Sequence, residues 1–196
     1  MHQWSNGDRY EGEWRACLRN GNGTDFFSNG DMYIGQYQYG RPEGYGQYKW
    51  TNGNTYQGMF KGGLKHGNGK WRKKPAGDGP RANCYEGDYV DDKKHGWGHF
   101  EWESGNSYSG MYIGDERQGF GEMQWTDGSV YRGTWDKGVQ HGVGIMLFPN
   151  GSKRVGFFSQ NEFQGPFATI GDYDEWLSEQ SVGIRNAMPI EFRDET

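Results

Sequence analysis

Apolar and polar side chains alternate along short stretches of this chain, and glycine often takes one of the apolar positions. In the first clear stretch, Tyr10, Gly12 and Trp14 fall on one side of an extended backbone. Glu11 and Glu13 fall on the other side, because successive side chains of a strand point to opposite faces. A helix this rich in glycine would lose about 1 kcal/mol per glycine relative to alanine. The pattern therefore predicts short β-strands with one aromatic face.

The Tyr-x-Gly-x-aromatic pattern returns every 23 residues, with a single interval of 29. Six clear copies are present: Tyr10, Gly12 and Trp14; Tyr33, Gly35 and Tyr37; Tyr56, Gly58 and Phe60; Tyr85, Gly87 and Tyr89; Tyr108, Gly110 and Tyr112; Tyr131, Gly133 and Trp135. A weaker seventh copy has Arg154 in place of tyrosine, followed by Gly156 and Phe158. A fixed period of this length is typical of repeat proteins.

Each clear copy continues with Gly-x-Gly, and most copies then reach a turn dipeptide. The dipeptides are Asn6-Gly7, Asn29-Gly30, Asn52-Gly53, Ser104-Gly105, Asp127-Gly128 and Asn150-Gly151. We expect two-residue type I′ turns there, since Asn, Asp and Gly tolerate the positive φ that such turns need at both positions. The unit is thus predicted to be a β-hairpin that advances the sheet by roughly 10 Å. Its rings are expected to lie on the bare glycine backbone of a neighbouring strand.

Composition supports a folded β-protein and narrows its function. Aromatic residues make up 17% of the chain, whereas a disordered chain is poor in them. The net charge of −5 opposes a general nucleic-acid binder, which carries a strong basic footprint. Cys17 and Cys84 form no motif and are expected to be free thiols in a reducing compartment. With no secretion signal and no apolar run of membrane-spanning length, we expect a cytoplasmic protein.

At this spacing, the elements Tyr-x-Gly-x-Trp, Gly-x-Gly and Asn-Gly-x-x-Tyr resemble the MORN repeat (membrane occupation and recognition nexus). The segment from Tyr108 to Gly121 is a close match, and the resemblance covers about residues 1–167. It implies an all-β fold, an elongated single-layer antiparallel sheet of tandem hairpins. It also implies a scaffold that binds other proteins, often in a ciliary, axonemal or other cytoskeletal assembly. Two alternatives stay open, a membrane-recognition module and an accessory segment of a larger enzyme.

Both ends of the array and one interval depart from the repeat. Residues 1–7 match half a unit, so the chain is expected either to open with a cap or to be a fragment of a longer protein. An insertion at about residues 72–82 replaces a turn, and Asp25 in place of an apolar residue is expected to weaken the first copy. Residues 168–196 are expected to form a cap and tail. A short helix at about 172–181, opened by a capping box of Asp172 and Glu175, would cover the last hairpin; the alternative is a frayed tail.

Two sets of residues are candidates for binding a partner. The insertion carries a basic cluster that suits an acidic protein or an anionic lipid, although a solvated loop is the alternative: Lys70, Arg72, Lys73, Lys74 and Arg81. The residues between the paired glycines are predicted to point away from the ring-bearing face, and they include Tyr45, Trp97 and Phe120. A row of exposed aromatics would suit a peptide or helix, unless these rings pack on neighbouring strands. Unpaired strand edges at the ends of the array would permit self-association.

The sequence offers no convincing catalytic, metal or cofactor site. His66, His95 and His141 each precede a Gly-x-Gly pair, but repeat positions about 10 Å apart cannot share one zinc ion. Gly-x-Gly recurs in each clear copy and precedes a predicted strand, whereas a phosphate-binding loop requires a following helix. We therefore expect a non-enzymatic scaffold that needs no cofactor.

Overall fold

The computed structural model describes residues 1–75 and 81–166. The chain divides into two compact units, Met1–Ser104 and Gly105–Thr196. The first contains nine strands: β1 (His2–Gln3), β2 (Arg9–Arg15), β3 (Leu18–Phe26), β4 (Met32–Gln38), β5 (Arg41–Lys49), β6 (Thr55–Lys61), β7 (Leu64–Arg72), β8 (Cys84–Val90) and β9 (Lys93–Glu101). The described residues of the second unit form six: β10 (Ser107–Ile113), β11 (Glu116–Gln124), β12 (Val130–Asp136), β13 (Val139–Leu147), β14 (Lys153–Ser159) and β15 (Glu162–Pro166).

Within each unit, every strand pairs antiparallel with the strand that follows it in the chain, so each unit is one antiparallel sheet of consecutive hairpins. The predicted all-β class and antiparallel hairpin architecture are confirmed. The described residues contain no helix. The helix predicted at about 172–181 lies outside the described residues.

Each first-position tyrosine is buried because its ring lies over two glycines. Gly35 and Gly46 face each other across β4 and β5. A Cβ atom added to Gly46 would lie 2.4 Å from Oη and 2.6 Å from Cζ of Tyr33, so the ring occupies the space that a side chain would need. The Tyr33 hydroxyl donates to the carbonyl of Gln36 at 3.0 Å. The prediction that rings lie on bare glycine backbone is confirmed, and the tyrosines that are at most 1% exposed are Tyr10, Tyr33, Tyr56, Tyr85, Tyr108 and Tyr131.

The first glycine of each Gly-x-Gly pair has a different role. Gly44 has a φ of +80°, and the β4–β5 register shifts between Gly35 and Tyr37. These features define a β-bulge, in which glycine accommodates the left-handed conformation. The side chain of Gln36 fills the bulge, since its Oε1 accepts the N–H of Tyr45 at 2.8 Å.

Two kinds of connection alternate along the chain, and the predicted turn type was wrong for one of them. At Asn29-Gly30 the glycine has a φ of +88°, whereas Asn29 does not have a positive φ. Gly30 N–H donates to the carbonyl of Phe27 at 2.9 Å, which gives a type I turn followed by a left-handed glycine. Positive φ at both positions occurs instead in the other connection, as at Tyr39 and Gly40, with φ values of 50° and 83°.

The tyrosine rings also join one repeat to the next. Tyr33 makes edge-to-face contacts with Tyr37 of its own copy at 5.2 Å and with Phe60 of the next copy at 5.0 Å. In the second unit, Tyr131 contacts Trp135 and Phe158 in the same way, at 5.4 and 5.0 Å. Such pairs contribute about 0.5–1.5 kcal/mol beyond the burial of their area. Each repeat is therefore stabilised by its neighbour.

Hydrogen bonds connect successive hairpins at both margins of the sheet in the first unit. At the margin with the Asn-Gly connections, the Asp31 carboxylate accepts the N–H of Thr51 from the next hairpin at 2.8 Å. At the other margin, Gly40 N–H donates to the carbonyl of Arg19 in the preceding hairpin at 2.9 Å. The hairpins are thus fixed to one another at the margins as well as through their rings.

We expect Gly46→Ala to lower the free energy of unfolding by about 1–3 kcal/mol, because the added methyl group overpacks against the Tyr33 ring. Chemical denaturation followed by tryptophan fluorescence measures the change. A double-mutant cycle with Tyr33→Ala identifies the cause. The loss of stability in the double variant should be well below the sum of the losses in the two single variants, since removing the ring removes the clash. Strictly additive losses would show that the ring does not depend on this glycine.

Candidate interaction surfaces

The sheet of the first unit has two faces of different character. The tyrosine face carries the buried repeat tyrosines Tyr10, Tyr33, Tyr56 and Tyr85 and the glycines beneath them. The other side of the sheet is the opposite face. Directly paired residues share a face, so Tyr48, Trp71 and Phe100 lie on the tyrosine face as partners of Tyr33, Tyr56 and Tyr85. Further half-buried rings adjoin them towards the Asn-Gly connections. Together they form an aromatic strip: Trp4, Phe27, Tyr48, Trp50, Trp71, Phe100 and Trp102.

Rings of the aromatic strip hold one another in place. Phe27 stacks on Tyr48 with centroids 5.9 Å apart, and Tyr48 contacts Trp50 at 4.7 Å. The Tyr48 hydroxyl donates to the Asp31 carboxylate at 2.8 Å. Burial, together with this hydrogen bond, raises the pKa of Tyr48 well above its ordinary value. The strip therefore presents partly exposed apolar area on side chains whose orientation is already fixed.

Asp25 is buried on the tyrosine face of the first copy, where the sequence predicted a weakened core. Its carboxylate is paired with Arg19 at 2.5 Å and accepts the hydroxyl of Tyr37, from the next copy, at 2.8 Å. Arg19 also lies over the Tyr37 ring at 5.5 Å. Burial and the Asp25 carboxylate raise the pKa of Tyr37, so it remains a hydrogen-bond donor. The charge is therefore compensated, and it joins the first two copies.

The basic cluster predicted around the insertion is divided by the structure. Lys70 on β7 pairs with Glu86 on β8 at 2.6 Å, and this hydrogen bond raises the Lys70 pKa. Four other members are exposed near the ends of β7 and β8, namely Arg72, Lys73, Lys74 and Arg81. Residues 76–80 of the insertion lie outside the described residues. The positive charge that remains uncompensated by a described carboxylate is therefore on these four side chains.

The aromatic residues between paired glycines lie on the opposite face, as predicted. Tyr45 is 51% exposed, and its hydroxyl accepts a hydrogen bond from the amide of Gln57 at 2.6 Å. Trp97 is half-buried in the same unit, with the exposed Asn68 at the equivalent position between them. Phe120 is half-buried and belongs to the second unit. In the first unit this row is thus interrupted by a polar residue.

Sequence reasoning did not identify the aromatic strip as a surface. The available signal was an aromatic residue 15 or 17 positions after a repeat tyrosine, as in Tyr48 and Trp50 after Tyr33. These residues were recognised only as part of the repeat pattern. Whether such rings are covered depends on the packing of neighbouring hairpins, which the repeat period does not specify.

The MORN repeat model matches residues 10–32, 33–55, 56–74, 85–107, 108–130 and 131–153. The chain belongs to the MORN repeat family. Membership indicates a repeat module of protein or membrane interaction, and the repeat itself is non-enzymatic. Among curated proteins, no relative matches the chain.

Two solved structures with low similarity to this chain are TCP domains. One is the SAS-4 (dCPAP) TCP domain of Drosophila melanogaster in complex with a proline-rich motif of Ana2 (dSTIL). It is 13% identical, with a TM-score of 0.47, and the match covers 80% of this chain and 82% of that one. The other is the wild-type TCP10 domain of Danio rerio CPAP, 16% identical with a TM-score of 0.27, covering 85% of this chain and 95% of that one. At these values the likeness does not bear on what the MORN array binds.

Within residues 1–75 and 81–166, no helix is long and apolar enough to cross a membrane.

Acid should weaken the junction between hairpins at Asp31. Burial acts to raise the pKa of Asp31, but hydrogen bonds from Thr51 and Tyr48 hold it below the ordinary value of 3.8. A carboxylate with a lowered pKa in the folded state stabilises the protein above its ordinary pKa, and this stabilisation is lost as the pH falls through the lowered value. We expect Asp31→Asn to flatten the decline of stability between about pH 5 and pH 2, measured by denaturant titration at each pH.

The equivalent residue of the next copy provides a matched control. Asn54 accepts the N–H of Lys74 at 3.0 Å, as Asp31 accepts that of Thr51. We expect Asn54→Asp to add an acid-sensitive contribution to the free energy of unfolding, whereas Asp31→Asn removes such a contribution. If the free energy of unfolding depends on pH identically in the wild-type protein and both variants, the acid sensitivity does not come from Asp31.

Proposed function

We propose that the chain is a non-catalytic scaffold that binds an extended, acidic protein segment along the aromatic strip of its first unit. The observation that supports this most directly is the strip itself, with half-exposed Trp and Tyr rings held by their neighbours. Aromatic rings that are already ordered lose little conformational entropy on binding, and Trp and Tyr are over-represented among the residues that dominate interface energies. A sheet face of this kind suits a segment whose apolar side chains lie between the rings.

The charge near the strip favours an acidic partner. Lys73 and Lys74 follow Trp71 within two or three residues, and the Lys74 backbone is bonded to Asn54 in the connection that follows Trp50. These exposed cations therefore lie at the margin where the strip ends. Complementary charge increases the association rate and suppresses partners of the same charge.

The cellular setting proposed for this scaffold is a ciliary, axonemal or other cytoskeletal assembly in the cytoplasm. The support is family membership, because MORN arrays occur in such assemblies. Tyr45 and Trp97 on the opposite face are a second proposed contact area for protein partners. The exposure of Tyr45 supports its inclusion, and Phe120 of the second unit is a further proposed contact residue.

Recognition of an anionic membrane is the competing function, and the same observations motivate it. Exposed Arg and Lys side chains beside partly exposed Trp rings suit a surface of anionic lipid headgroups. The scaffold is preferred because the strip runs across the strands of several successive hairpins, which suits an extended segment. Vesicle binding separates the two functions.

The scaffold is tested by quantitative affinity purification from ciliated cells with three full-length forms. Trp50→Ser combined with Trp102→Ser removes two rings of the strip, and we expect it to lose a defined set of proteins that the wild type retains. Tyr39→Ser is the control, because Tyr39 is 76% exposed at the opposite margin and should retain that set. Segments of the captured proteins that bind the purified wild type should be acidic and should bind more weakly to Lys73→Glu with Lys74→Glu.

Two results would contradict the scaffold. One is the same protein set on the wild type and the strip variant. The other combines three findings. The wild type floats with vesicles of anionic phosphatidylserine but not with those of neutral phosphatidylcholine, and Lys73→Glu with Lys74→Glu abolishes this flotation. At the same time, no set of captured proteins depends on the strip. The second result would establish the membrane function.

A further inference from the structure

The two hairpins formed by β4 to β7 are positively charged, although the chain as a whole has a net charge of −5. From Met32 to Arg72 the sequence contains six Lys and Arg residues and one acidic residue, Glu43. The Glu43 carboxylate accepts the N–H of Gly62 at 2.7 Å, so it is engaged at the connection of the next hairpin. Positive charge is therefore concentrated locally, in two hairpins of the first unit.

Comparison with the flanking copies places the difference on the opposite face. The residue directly after the repeat tyrosine lies on that face, because successive side chains of a strand alternate. It is Glu11 on β2 and Glu86 on β8, but Ile34 on β4 and Gln57 on β6. The two central copies thus lack a carboxylate that the copies before and after them have.

Unpaired cations lie at both ends of this face. Arg41, Lys49 and Lys61 are exposed, and none of the carboxylates in the described residues lies within ion-pair distance of them. Lys49 pairs with Thr55 near the Asn-Gly connections, whereas Arg41 and Lys61 lie at the other margin. The face therefore presents positive charge at both ends of its strands.

Exposed apolar side chains lie between these cations and form a central patch, Ile34, Tyr45 and Met59. Their exposed fractions are 44%, 51% and 41%. Tyr45 and Met59 face each other across β5 and β6, and Ile34 pairs with Gln47, two residues from Tyr45. The central patch is therefore one continuous apolar area over three strands.

The charges around the central patch favour an acidic occupant. Cations at both ends attract carboxylates and repel another positive surface. A second copy of the chain is disfavoured, because a symmetric contact would bring Lys49 and Lys61 of the two copies together. A bilayer is disfavoured as well, since hydrocarbon would cover the amide of Gln47, which lies beside Ile34, without offering it a hydrogen-bond partner.

The width of the central patch favours a helix. Three neighbouring strands span about 10 Å, which is the diameter of an α-helix with its side chains. An extended segment is only about one strand spacing wide and would leave much of the patch in water. A helix also pairs its own backbone groups when one side of it leaves water.

We propose that the opposite face of β4 to β7 binds an amphipathic helix of a partner protein, with apolar residues on the central patch and acidic residues near both ends. This rests on the proposed protein contact at Tyr45 and names the occupant of that surface. Lys61 lies six residues beyond Thr55, the partner of Lys49, so the two cations are about 20 Å apart along the strands. A helix spans that distance in about 13 residues.

Selection of phage-displayed random peptides of about 16 residues on the immobilised full-length protein tests the proposal. We expect a class rich in Asp and Glu whose affinity falls about tenfold or more in the patch variant, Tyr45→Ser with Met59→Ser. These peptides should gain a helical circular dichroism signal on binding. Val90→Ser with Lys93→Glu is the matched control and should leave binding intact, because it changes an exposed apolar residue and an exposed lysine on the same face of the next hairpin.

Charge reversal tests the role of the cations. Lys49→Glu with Lys61→Glu should weaken binding of the acidic peptides by about tenfold. Peptides with Lys in place of their Asp and Glu residues should bind this variant better than the wild type. All substituted side chains are exposed, so each variant should keep the far-ultraviolet circular dichroism spectrum and melting temperature of the wild type.

Three results would overturn this assignment. The first is that no enriched peptide depends on Tyr45 and Met59, or that those that do are basic or bind without becoming helical. The second is flotation with phosphatidylserine vesicles that requires the patch while no peptide does, which would make a bilayer the occupant. The third is a dimer in sedimentation velocity that the patch variant abolishes, which would make a second copy the occupant.

The strip variant, Trp50→Ser with Trp102→Ser, separates this outcome from that of the scaffold function. Peptides that depend on the strip but never on the central patch would overturn the helix site and leave the scaffold supported. Acidic helical peptides that bind the strip variant normally and depend on the patch would support the helix site, whatever binds the strip.

Discussion

A tyrosine ring lying over two glycines that face each other on adjacent strands is the contact on which every clear repeat depends. The sheet in each unit has no second described layer, so large rings must provide the apolar cover that another sheet or helix provides elsewhere. A ring can approach the backbone this closely only where no Cβ is present, as at Gly35 and Gly46 beneath Tyr33. Its hydroxyl then reaches the Gln36 carbonyl, which satisfies the one polar atom that the ring buries.

The same ring makes the array cooperative over short distances. Tyr33 touches the aromatic ring of its own copy and that of the next, and the margins are joined by bonds such as Thr51 to Asp31. Each hairpin therefore gains stability from its immediate neighbours, the behaviour expected of repeat proteins. Trp14, in the first of the six clear copies, is 41% exposed and contacts His2 and Trp4, whereas Tyr37 in the next copy contacts the preceding repeat tyrosine, Tyr10.

Because the repeat tyrosines are used for folding, binding must rely on the residues around them. On the tyrosine face, rings farther along the strands, such as Trp50, are held in place yet remain partly accessible. On the opposite face, the residue between the paired glycines differs from copy to copy, as in Tyr45, Asn68 and Val143. One repeat frame thus carries different side chains at the same position of this face without any change of hairpin geometry.

The sequence by itself determined the strands, the 23-residue hairpin unit, the MORN family and the ring-on-glycine contact, because these depend on residues within one copy whose spacing is fixed. It did not determine the turn types, since the pairing of strands imposes positive φ on Tyr39 rather than on Asn29. Nor did it determine that the buried Asp25 carboxylate is paired with Arg19 and accepts the Tyr37 hydroxyl. Those outcomes depend on how strands pair and on contacts between different copies, which a repeat pattern read within one copy does not describe.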